Sequence, residues 1–151
     1  MTLPTRGKHF RNIALIFGVM LFIWTRIEDF QTLPVVVFGT ALAFLLLSGW
    51  ILGKFGGKTI SNRALLIGGV LLGAVFGLSA GISTAALMFF KAASHAHIFP
   101  DYPPLQILAM LERAPAWTLA GALLGLGLVL LRFALQGIKP TSETSTLSSE
   151  Q

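Results

Sequence analysis

The chain contains no cysteine, a single tyrosine and only six acidic residues, and charged side chains fill just 11% of its 151 positions. Without cysteine there is no disulfide, no thiolate metal ligand and no cysteine nucleophile. The scarcity of charge excludes more. Soluble domains carry roughly a quarter charged residues, so this chain cannot cover a water-facing surface with polar groups. With 54% hydrophobic residues and a mean hydropathy of +0.79, the expected solvent is lipid.

Ionisable groups are also missing from a particular place: none lies well inside a long apolar run. Proton relays, ion-coupled transporters and voltage sensors need such groups at membrane depth, so those classes are disfavoured. Transporters built from repeats would show Gly/Pro breaks at matching positions in two halves, and the halves here do not match. Ser79, Ser83 and Thr84 are the hydroxyls available to a polar path, but single hydroxyls in apolar helices usually bond their own backbone. Gly53-Lys54-Phe55-Gly56-Gly57-Lys58-Thr59 glances at a phosphate loop, yet it lacks the required glycine spacing and follows an apolar run.

What is present is four apolar runs. Ile13 to Trp24 is the shortest, preceded by Arg6, Lys8 and Arg11. A basic start and short apolar run also describe a signal peptide, but Thr-Arg-Ile-Glu-Asp after Trp24 offers no small-x-small cleavage site. Its eight Leu, Ile, Val and Phe residues together favour insertion by roughly 2.5 to 5 kcal/mol. Leu33 to Leu52 and Ala64 to Phe90 are uncharged, and the last run extends from Ala114 to Leu131 before Arg132. The expected fold is therefore an all-α membrane protein with four transmembrane helices near 10–26, 33–53, 64–91 and 114–136. Residues 1–140 form one domain, and the polar stretch 141–151 has nothing to bury and is expected to be disordered. Within the connection 91–113, Pro103-Pro104 can start a short surface helix near 104–113. Leu105, Ile107, Leu108 and Leu111 would lie on the membrane.

Orientation follows from the net charge of +5, whose cations sit in short groups rather than in the single patch a nucleic-acid site needs. One side holds Arg6, Lys8, Arg11, Lys54, Lys58, Arg63, Arg132 and Lys139; the other holds only Arg26, Lys91 and Arg113. The positive-inside rule then puts both termini in the cytoplasm, in a plasma (inner) membrane. Trp24, Trp50 and Trp117 stand at ends of apolar runs, where interfaces hold such rings.

The most specific pattern is Gly69, Gly73, Gly77 and Gly81, continued by Ala85. Residues four apart form a slightly slanted stripe on a helix, and small ones let another backbone approach closely. Leu71, Val75, Leu78, Ile82 and Phe89 fall on the opposite half. Gly121 and Gly125 make a shorter stripe in the last run, suited to pack against the third. Their mismatch in length suggests that part of the longer stripe serves another membrane subunit or a second copy. A weaker pattern is His95-Ala-His97 with Asp101 nearby, residue types that ligate zinc, copper or iron but lack a third strong ligand. No metal and no cofactor is expected. The sequence thus points to a non-catalytic accessory, structural or assembly subunit, with a small homo-oligomeric pore as the alternative.

Overall fold

The computed structural model describes residues 7–27, 31–57, 62–94 and 101–137, and all regular structure in them is helical. The tail 141–151, together with His95 and His97, lies outside the described residues. Five helices follow in chain order: α1 (Lys8–Thr25), α2 (Thr32–Phe55), α3 (Asn62–Ser94), α4 (Pro104–Glu112) and α5 (Ala114–Gly137).

Three of them are long and apolar enough to cross a bilayer: Thr32–Phe55, Ala64–Ser94 and Ala114–Leu135. Only 17% to 22% of each apolar window is buried inside the molecule. A water-soluble bundle hides an apolar stripe and shows a polar face; these helices are apolar on the outside as well, which suits a membrane. Leu71, Leu78, Ile82 and Phe89 of α3 are all exposed, as the half-helix division in the sequence predicts. α1, with Lys8, His9, Arg11 and Asn12 in its first turns, does not reach the same standard of apolarity.

α3 is central. Its glycine side lies against α5 and its other buried side against α2, while α1 lies along α2. On α2, Val35, Gly39 and Ala43 are buried at four-residue spacing and meet α3. Gly39 has no space for a side chain, because a Cβ there would collide with Thr84 Oγ1 and the Thr84 backbone. The Thr84 hydroxyl donates to the Ala80 carbonyl oxygen one turn back at 2.8 Å, so it is satisfied within its own helix. Phe44 of α2 meets Phe76 of α3 edge-on, with centroids 6.3 Å apart.

Two boundaries differ from the sequence reading. α3 does not stop before Lys91 but continues to Ser94, which shortens the connection that follows. α4 ends at Glu112, and Arg113 forms a turn directly before α5. α4 is also not a plain surface helix: Met110 is buried and Ile107 packs on the core, while Leu105, Leu108 and Leu111 stay exposed. Hydrogen bonds tie this region to the start of α2, from Tyr102 Oη to the Gln31 carbonyl at 2.9 Å and from Gln106 Nε2 to Thr32 Oγ1 at 3.1 Å. The end of α1, the start of α2, the end of α3 and α4 therefore share one end of the bundle. The side-chain core is gathered there, in Trp24, Val35, Met88, Tyr102 and Met110.

Candidate functional site

Two constellations stand out: a glycine seam between α3 and α5, and a buried cation at the shared end. The seam is antiparallel. Gly69 faces Val129 and Gly125, Gly73 faces Gly125 and Gly121, Gly77 faces Gly121 and Trp117, and Gly81 faces the Trp117 ring. At Gly73 and Gly77 an added Cβ would run into the carbonyl oxygens of Gly121 and Trp117. Gly121 and Gly125 would in turn run into the carbonyls of Gly73 and Gly69. Because the obstacle is backbone, no rotamer change relieves it. Two helices come this close only where neither carries a side chain, and close approach is what supplies attraction between helices in lipid.

The α5 side of the seam is longer than its glycines. Trp117 and Val129 continue the four-residue spacing of Gly121 and Gly125, giving a stripe of roughly 18 Å at 1.5 Å per residue. This matches the stretch from Gly69 to Gly81. The expectation of a surplus glycine stripe, based on Gly121 and Gly125 alone, is therefore corrected: α5 covers those four α3 glycines within the chain. Ala85, the next position, is buried in the core cluster at the end of the bundle.

The second constellation is not evident from the sequence, where Lys91 belongs to the connection after the third span. Lys91 is completely buried at the end of α3. Its Nζ lies 4.5 Å from the Trp24 ring centroid and 5.9 Å from that of Tyr102. The Trp24 ring stacks on Phe38, with centroids 4.9 Å apart. Asp101, next to Tyr102 in the chain, is buried too. An ammonium over aromatic faces away from water gains about 2 kcal/mol or more, and a cation in the last turn of a helix also interacts favourably with the carbonyl end. The indole Nε1 of Trp24 is buried without a hydrogen-bond partner among the described residues. Trp24 is thus oriented by its ring face rather than by its N–H.

The sequence does hold a signal for Lys91. Ala80, Thr84, Met88 and Lys91 are spaced four, four and three apart, the spacing of one helix face, and the first three are buried. Continuing that face one turn past Phe90 puts Lys91 inside. The residues considered for a metal are not assembled by this arrangement: Asp101 belongs to the aromatic cluster, His95 and His97 are outside the described residues, and among the described residues no three His, Asp or Glu side chains gather.

No protein family, curated protein or solved structure matches this chain.

Proposed function

We propose that this chain works by packing, as a non-catalytic accessory, structural or assembly subunit of a larger membrane complex. In this reading it crosses the plasma (inner) membrane four times with both termini in the cytoplasm. The observation that carries the proposal is the closed glycine seam. The side of α3 best suited to line or gate a path is in backbone contact with α5 from Gly69 to Gly81. A permeation route along it would have to break the tightest contact in the molecule. The remaining outward face of α3 carries Leu71, Val75, Leu78 and Ile82, which offer nothing to a solvated ion.

α1 supplies both the fourth crossing and the partner surface. Its 18 residues extend about 27 Å, close to the roughly 30 Å of a hydrocarbon core. Ile16, Val19, Ile23 and Phe22 point away from the bundle. Arg26 marks one end, its guanidinium 5.2 Å from the Phe22 ring centroid, and Arg11 marks the other. A helix packed along one neighbour and apolar on its free side is well suited to bridge to another subunit.

Mild extraction should recover the protein with unlike, larger membrane subunits, and Val19→Trp on the free side of α1 should release them without unfolding the bundle. Purified alone into liposomes, the protein should pass no ions or small solutes. Recovery only as a homo-oligomer with solute flux would overturn the accessory role and favour the pore.

A further inference from the structure

A groove separates α1 from α2. Its walls include Ala14, Phe17 and Gly18 on one side and Leu42, Leu46 and Gly49 on the other, and it encloses about 430 Å³. The walls are almost entirely hydrocarbon, and one side is open along the helices. One end of the groove is defined by Phe10 and Trp50, where α1 begins and α2 finishes. Phe10 reaches across to Gly49, where an added Cβ would come within 3.2 Å of its ring.

That end is cationic. Lys54 holds its Nζ 5.1 Å from the Trp50 ring centroid and 5.8 Å from that of Phe55. On α1, Lys8 and Arg11 are exposed in the first turn, and Arg11 precedes Gly18 by seven residues, about two turns on the same face. Neither helix contains an Asp or Glu to neutralise these charges. An apolar slot that opens onto cations is complementary to an amphiphile with an apolar tail and an anionic head.

We propose that the groove between α1 and α2 binds an anionic phospholipid, one acyl chain lying along Gly18 and Leu42 and its phosphate held by Arg11, Lys54 and Lys8. The volume is of ligand size, within the roughly 300–1,000 Å³ of small-molecule sites. A helix of a partner protein about 10 Å across would exhaust the same space in about one turn. Basic pockets between membrane helices recognise anionic head groups because each cation near the surface adds attraction that a zwitterionic lipid does not return. The site requires the membrane setting but no partner subunit, so it stands or falls independently of the accessory role.

The test uses the full chain in detergent micelles, titrated with phosphatidylglycerol or phosphatidylcholine and examined by native mass spectrometry. The parent should retain one phosphatidylglycerol in preference to phosphatidylcholine. Arg11→Gln and Lys54→Gln should each reduce that preference, by about fivefold per cation removed. Gly18→Leu should abolish retention of either lipid by filling the groove; nothing lies within 4 Å of a Cβ at Gly18, so the fold tolerates it. Ala14→Leu, on the same wall, repeats the test if Gly18→Leu fails to insert. Equal retention of the two lipids by the parent would overturn the proposal. So would unchanged retention in a folded groove-filling variant, or a co-purifying membrane protein that Gly18→Leu displaces while no lipid is bound.

Discussion

Glycines with the same local sequence environment have opposite roles in this chain, and the difference lies in what each one faces. Gly73 and Gly77 face α5 backbone, whereas a Cβ added at Gly68 or Gly127 would meet nothing within 4 Å. Gly73→Ala or Gly121→Ala should therefore destabilise the bundle by about 1–3 kcal/mol, since the two backbones must separate. Gly127→Ala should be neutral or stabilising by about 0.5–1 kcal/mol, because it removes helix-interior glycine without meeting an obstacle. Detergent unfolding monitored by circular dichroism separates these outcomes; equal losses at Gly121 and Gly127 would contradict the seam. The sequence already indicates which glycines recur at helical spacing. It does not indicate that Trp117 and Val129 complete the α5 side, because neither is small and their role depends on where the facing helix ends.

At the scale of elements, α1 depends on its last turn. Trp24 is buried between Phe38 of α2 and Lys91 of α3, while most of the helix before it is exposed along its outer face. Trp24→Leu removes the aromatic face and should cost about 2 kcal/mol, the scale of a desolvated cation–π contact. Trp24→Phe keeps a ring and deletes an N–H that has no partner among the described residues, so it should cost distinctly less. Unfolding free energies of the two variants in one detergent give the comparison, and a larger loss for Trp24→Phe would contradict the ring-face role. α3 carries a related lesson. A charged residue reads as the end of an apolar run, but a helix need not end where hydrophobicity does. The Lys91 stem is apolar and its ammonium is received by rings from α1 and the segment before α4. Those partners are distant in sequence, so their convergence is not legible until the chain folds.

At the scale of the whole molecule, the layout is α1, α2, α3 and α5 in sequence along the bundle, with α4 closing one end. α3 has 33 residues and a length of about 50 Å, well beyond a hydrocarbon core of roughly 30 Å. Its two ends must therefore reach head groups or water on opposite sides. The absence of native cysteine makes this measurable. With the proposed orientation, Ser94→Cys should react with an impermeant thiol reagent from outside intact cells, and Ser61→Cys should react only after permeabilisation. The reverse pattern would invert the topology, and reaction at both without permeabilisation would remove α3 from the membrane.

The sequence by itself determined that the chain is helical and apolar enough for lipid, which α3 half is bulky, and where close helix approach is allowed. These are properties of composition and of the 3.6-residue period, so they are written in neighbouring residues. The tertiary structure decided which helix occupies the glycine face, that Ile107 and Met110 turn inward, and that Lys91 is enclosed with Trp24, Tyr102 and Asp101. Each of these depends on surfaces brought together from distant parts of the chain, where complementary shape and the burial of a charge, rather than local pattern, select the arrangement.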